Sequence, residues 1–184
     1  MEEKNRVLNW LTIAYMLLAF GLFFLGLGDS VWQYYKKSNQ PESVTSFQSG
    51  KEKATSGKFK EAIIEYNKAI SLDIKNAEYY FERGNSKYEL KYYKDAIRDF
   101  DKAIQLIPDN LKYIYMRAIV KNDLKDYVGA IEDYDKLINL FPKESDFYRE
   151  RGLAKSKIKE YEGSSKDYIK ANELGPEHNS DNDN

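Results

Sequence analysis

No cysteine occurs anywhere in the chain. That absence removes disulfides, thiolate metal sites and cysteine nucleophiles together. It leaves the compartment open, since a cysteine-free chain survives under reducing or oxidising conditions. Histidine is nearly missing too. The single one, His178, sits in the polar tail EHNSDNDN, so the commonest general base and metal ligand is absent from the body of the protein. Neither sign of charge is in excess: 29 Lys and Arg stand against 30 Asp and Glu. A polyanion binder usually carries a clear basic surplus, so nucleic acid is not an expected partner. Nucleophile elbows, phosphate loops, zinc spacings and paired-carboxylate clefts are also missing. The acidic residues read as solvated helix faces, and Pro108-Asp109-Asn110 as a turn. The sequence therefore predicts no catalytic residue, metal, cofactor or small-molecule substrate.

What is present falls into two parts. Residues 7–28, VLNWLTIAYMLLAFGLFFLGLG, hold no charged side chain in 22 positions. At about 1.5 Å per residue, a helix of that length crosses a hydrocarbon core of roughly 30 Å. A single span must be helical, because lipid satisfies no backbone polar group. Trp10 near one end, with Trp32, Tyr34 and Tyr35 just past the other, suits anchoring at the two interfaces, and Lys36 and Lys37 can reach headgroups. A cleaved secretory signal is the competing reading, with Lys4 and Arg6 as its basic start and Gly26-Leu27-Gly28 as its cleavage site. It would make the protein periplasmic or secreted. The apolar run exceeds a usual signal core of about 7–15 residues, and Glu2 and Glu3 dilute the basic start. We therefore expect a retained single-pass anchor in the bilayer, with residues 1–6 before it and a tether over 29–42 after it. Lys4 and Arg6 tie with Lys36 and Lys37 in the charge count, while Lys51, Lys53, Lys58 and Lys60 tilt the carboxyl side toward the cytosol.

The second part repeats itself. EYNKAI begins at Glu65, DFDKAI at Asp99, DYDKLI at Asp133 and DYIKAN at Asp167, each 34 residues after the last. A fixed period of this size marks a solenoid, whose units cannot bury an apolar stripe alone and must stack. Four units follow: 43–76, 77–110, 111–144 and 145–178. Small residues recur at fixed columns, Gly50, Gly84, Ala118 and Gly152 in one, Ala62, Ala96, Ala130 and Ser164 in another, and Ala69, Ala103, Leu137 and Ala171 in a third. They let paired helices approach closely. Aromatic columns alternate with them, namely Phe59, Tyr93, Tyr127 and Tyr161, then Tyr66, Phe100, Tyr134 and Tyr168. Pro108, Pro142 and Pro176 are placed to end the second helix of their units; the first unit has Ile74 there instead, and Ser46 where a ring is usual. With so many rings committed to packing, the 15% aromatic content is no argument for base stacking.

On these columns the sequence resembles the tetratricopeptide-repeat (TPR) family over about three-quarters of the chain. The resemblance implies an all-α fold, a right-handed superhelical solenoid of four helix-turn-helix repeats, here preceded by a single transmembrane helix. Its last unit replaces Ile63, Ile97, Ile131 and Ile70, Ile104, Ile138 with Ser165 and Asn172. Polar residues there suit an end that meets water, and residues 179–184 are expected to be disordered.

Arg83, Arg117 and Arg151 appear in the same units as Asp99, Asp133 and Asp167, and the first unit lacks both types, with Ser49 and Glu65. Buried charges need partners, so these read as ion pairs, within units or between neighbours. Family resemblance places the ligand groove on the concave face lined by the first helix of each unit. The matching positions are Phe47, Phe81, Tyr115 and Arg149; Lys51, Asn85, Ile119 and Leu153; and Tyr88, Asn122, Met116, Glu82 and Glu150. Phe81, Tyr115, Met116, Ile119 and Leu153 are expected to form an apolar ridge free of packing duty. Rings beside Asn amides suit a peptide. Relatives that clamp acidic chaperone tails carry Lys, Asn, Asn, Lys and Arg where this chain has Phe47, Lys51, Glu82, Lys112 and Met116; only Lys112 fits, and Glu82 would repel a carboxylate. The expected function is a membrane-anchored adaptor that binds a protein or peptide segment. The layout is similar to small anchored TPR proteins that assist photosystem I assembly, which makes an assembly factor for a membrane complex one specific version.

Overall fold

The computed structural model describes residues 40–175. Compact units divide between Thr45 and Ser46. Of the first unit the described residues are 40–45, where the amides of Val44 and Thr45 donate to the Pro41 carbonyl and open a helix. The anchor expected over residues 7–28 and the tail over 179–184 lie outside the described residues, as does Pro176. Among the described residues, no helix is long and apolar enough to cross a membrane.

Eight helices and no strand occur in the described residues: α1 Glu42–Thr55, α2 Phe59–Leu72, α3 Ala77–Glu89, α4 Tyr93–Leu106, α5 Leu111–Asp123, α6 Tyr127–Leu140, α7 Ser145–Lys157 and α8 Tyr161–Leu174. They pack in chain order, α3 on α4, α5 on α6 and α7 on α8 within pairs, with α2 on α3, α4 on α5 and α6 on α7 between them. The starts of α3, α5 and α7 are one 34-residue period apart. α4 and α6 stop at Leu106 and Leu140, two residues before Pro108 and Pro142, where a ring without an N–H cannot continue the ladder. The side chains of Asn76, Asn110 and Asp126 accept from the amides of Glu78, Tyr113 and Gly129 and so cap α3, α5 and α6.

Each first helix ends the same way. Gly57, Lys91, Lys125 and Lys159 all take left-handed backbone, with φ of 74°, 61°, 67° and 66°. The following amide reaches back across the last turn, as Tyr92 does to the Lys87 carbonyl at 2.9 Å and Asp126 to that of Lys121 at 2.8 Å. This closes the helix in a Schellman arrangement that glycine favours. Three lysines occupy it here.

The small columns work as spacers. A Cβ on Gly50 would come within 2.5 Å of the Tyr66 ring, and one on Gly84 within 2.7 Å of Phe100. Ala62, Ala69, Ala96, Ala103, Ala118 and Ala130 are wholly buried, as are Tyr66, Phe100 and Tyr134. Burying a ring of this size contributes about 1.5–3 kcal/mol. Ser165 and Asn172 on α8 are exposed, whereas Ile70 and Ile138, earlier in the second column, are buried.

Candidate functional site

The first-helix residues divide into two groups. Phe47 lies 4.7 Å from the Tyr79 ring and 5.8 Å from that of Tyr66, and it is buried. Phe81 repeats this arrangement one unit on, 4.8 Å from Tyr113 and 5.5 Å from Phe100. Tyr115 lies 5.6 Å from Phe147 and 6.3 Å from Tyr134. Phe81 and Tyr115 are therefore not a free ridge. Their column points into the seam between its own second helix and the first helix of the next unit, and such ring pairs are worth about 0.5–1.5 kcal/mol beyond burial. Met116 also packs against the core. Asn85, Tyr88, Ile119 and Asn122 stay half-buried, while Arg149 and Leu153 are exposed.

The arginine ladder pairs both within and between units. Arg117 donates from Nε and Nη2 to the two carboxylate oxygens of Asp133, at 2.9 and 2.5 Å, and from Nη1 to Asp101 on the preceding unit at 2.6 Å. Arg151 repeats this with Asp167 and Asp135, and Arg83 with Asp99 and Asn67. Lys87, Lys121 and Lys155 each add an ammonium within 3.0 Å of the same aspartate, and in the first unit Lys53 pairs with Glu65. Burial pushes the Asp167 carboxyl up, but hydrogen bonds from Arg151 and Lys155 outweigh it and hold the group below the usual carboxylate range. These cations are committed to the fold.

Where the ladder is structural, the seam between the third and fourth repeats is open. A cleft of about 240 Å³ lies there. Ile119, Asn122 and Asp123 line it from α5, Tyr127 and Tyr134 from α6, and Glu150, Leu153, Ala154 and Lys157 from α7. Asn122 Nδ2 donates to the Tyr134 hydroxyl at 3.3 Å, while its Oδ1 is buried without a hydrogen-bond partner. Turning the amide over would only exchange the ends, leaving an unpaired Nδ2. Burial, then the neighbouring Asp146, pushes the Glu150 carboxyl up; Arg149 opposes this. Tyr88 joins the site through its hydroxyl, which donates to Asp123 Oδ2 at 2.7 Å. That bond pushes the Tyr88 pKa up to about 12. Among the described residues, no group of acidic or histidine side chains could hold a metal ion. The sequence pointed to Ile119, Asn122, Glu150 and Leu153 but missed Tyr127 and Tyr134, because second-helix rings read only as core, and missed Asp123, Ala154 and Lys157 at the same cleft.

Lys112, the one residue that fits the acidic-tail clamp, is already engaged. Its Nζ sits 4.4 Å from the Phe81 ring centroid and 3.8 Å from Glu82.

Comparison with known proteins agrees with this fold. Two family models match the sequence, one described as TPR repeat over residues 50–91 and one as tetratricopeptide repeat over residues 77–110. No curated protein matches the chain by sequence. Among solved structures, a crystal structure of MamA protein is 26% identical, with a TM-score of 0.69 over 89% of this chain and 91% of that one. MamA from Desulfovibrio magneticus RS-1, from residue 41 to its end, is 17% identical at TM-score 0.68, covering 88% and 93%. The first TPR domain of Spaghetti (RPAP3), bound to the HSP90 peptide SRMEEVD, is 22% identical at TM-score 0.60, covering 64% and 94%. By its sequence and by its fold, this chain contains tetratricopeptide repeats.

Proposed function

We propose that the protein is a membrane-displayed adaptor that binds a polypeptide segment along the first-helix face, centred on the cleft between α5 and α7. The observation that carries this reading is Asn122. Its carboxamide is sunk in a cleft walled by the accessible Ile119 and Leu153, with one end lacking any protein partner. A buried amide left unpaired costs about 1–3 kcal/mol. A peptide backbone offers both a donor and an acceptor to such a group. That a solved domain of the same fold carries a bound peptide supports a peptide as the ligand.

The test is a photo-cross-linking side chain introduced in place of Leu153, with Ile64 on α2 as the control position. Both are exposed, at 43% and 66%. Cross-links to a defined partner segment from position 153, lost with Asn122→Ala and absent from position 64, support the groove. Equal yields from both positions would place binding elsewhere.

Membrane display rests on residues 7–28. An anchor confines partners to two dimensions and raises their effective concentration without new contacts. That suits an assembly factor for a membrane complex. Resistance to alkaline carbonate extraction with an intact amino terminus supports the anchor. A mature chain starting near residue 29 would instead support the secreted alternative.

A further inference from the structure

Glu150 stands in the fourth unit where Glu82 stands in the second. Each faces a buried tyrosine hydroxyl of the preceding unit. Tyr66 feels the charge of Glu82, and Tyr134 that of Glu150. In the unit between them, the same two positions hold Phe100 and Met116. Hydroxyl and carboxylate thus come and go together.

The two carboxylates differ in what answers them. Glu82 has the Lys112 ammonium at 3.8 Å, and it accepts from Asn85 Nδ2 at 3.3 Å. Lys112 lies thirty residues after Glu82; thirty residues after Glu150 the sequence has Ser180, which carries no charge. Leu153 replaces the counterpart of Asn85. The nearby Arg149 is hydrogen-bonded to Asp146. Among the described residues, no lysine or arginine pairs with Glu150; an unpartnered amide oxygen stands at each site, Asn85 Oδ1 beside Glu82 and Asn122 Oδ1 in the Glu150 cleft, so the missing cation is the difference.

From this we infer that the cleft seats the cationic end of a lysine or arginine side chain from the bound segment. Its alkyl stem would lie along Ile119, Leu153 and Ala154, and its N–H groups would donate to Glu150 and Asn122 Oδ1. This inference rests on the polypeptide-binding reading above. The acceptors would be satisfied as Lys112 satisfies Glu82, by a residue from outside the chain. The volume fits: about 240 Å³ is below the roughly 300–1,000 Å³ of most small-molecule pockets, enough for a side chain and not for a drug-sized ligand. Lys157 lies exposed at the rim. The preference is opposite to that of a clamp for acidic tails.

The experiment titrates the full chain in detergent micelles with three blocked tripeptides, acetyl-Ala-X-Ala-amide, where X is lysine, norleucine or glutamate. The Asn122 side-chain amide is followed by NMR. Lysine peptide should shift that signal with an affinity about tenfold or more above the norleucine peptide. The glutamate peptide should leave it unmoved. Glu150→Gln should remove the lysine preference while the helical circular dichroism signal stays unchanged. Equal response to lysine and norleucine, a preference for glutamate, or no response to lysine overturns the inference. If cross-linking from position 153 still finds a segment while lysine gains nothing, the groove stands and the cation site falls. If both experiments are blank, both readings fall.

Discussion

Arg151 holds Asp167 by two parallel hydrogen bonds, at 2.9 and 2.5 Å, and the aspartate is buried beneath them. The same fork recurs at Arg117 and Asp133. Bidentate geometry of this kind is what makes arginine irreplaceable by lysine at such sites. Arg117→Met should destabilise the protein by less than the roughly 3–5 kcal/mol of a fully unpaired buried charge, because Lys121 stays 2.8 Å from Asp133. The double variant Arg117→Met with Asp133→Leu should recover part of the loss, since it removes the buried carboxylate but also takes it from Lys121. Denaturant unfolding of the two, followed by circular dichroism, checks both outcomes.

Charge gives a second, pH-resolved expectation. The folded Asp167 carboxyl lies below its ordinary value. Its stabilisation is therefore complete above the unfolded value, about 3.9, and is lost as pH falls through the lower folded value. Glu150 runs the other way. Its folded pKa is raised, chiefly by burial, so its contribution is favourable below about pH 4.3 and is lost as pH rises through the folded value. Glu150→Gln should stabilise the free protein at pH 7 and lose that advantage in acid. Melting temperatures of the two proteins at pH 4 and pH 7 decide it.

A left-handed lysine is a place to gain stability. Lys125 has φ of 67°, a conformation that costs an L-residue about 1–2 kcal/mol, whereas glycine adopts it freely. Lys125→Gly should stabilise by up to about 1 kcal/mol after the larger chain entropy of unfolded glycine is counted. Gly57→Lys, at φ 74°, should destabilise. Thermal melts of both variants give the sign.

Close helix approach is a matter of one methyl group. A Cβ at Gly84 would stand 2.7 Å from Phe100 Cε1, inside contact distance. Gly84→Ala should cost about 1–3 kcal/mol by overpacking. The third unit tolerates Ala118 in that column, so the penalty reflects how this pair is seated rather than the column itself. A loss below 0.5 kcal/mol, an order-of-magnitude floor for such changes, would mean that the Phe100 ring moves aside.

Much of this architecture was legible in the sequence. The period announced stacked helix pairs, and the shared appearance of Arg83, Arg117 and Arg151 with Asp99, Asp133 and Asp167 announced ion pairs. Three features were not. Phe81 and Tyr115 were misplaced because a first helix has two packed faces, one toward its partner and one toward the next unit, and periodicity alone does not separate them from the open face. Lys91, Lys125 and Lys159 gave no hint of left-handed backbone, since only glycine or asparagine signals it in a sequence. The cleft escaped because it depends on Leu153 standing where Asn85 stands earlier, a difference that has meaning only once Glu150 is seen without a cation.

The arginine ladder also bears on how long the array is. Each internal junction joins an arginine to a side chain of the preceding second helix, Asn67, Asp101 or Asp135. The corresponding place on α8 is Ile169, and the first unit offers Ser49 instead of an arginine. Copies placed head to tail would bring a hydroxyl to a hydrocarbon and form no such bond. The fastening that holds neighbouring repeats together is thus particular to the three junctions described and has no counterpart at Ser49 or Ile169.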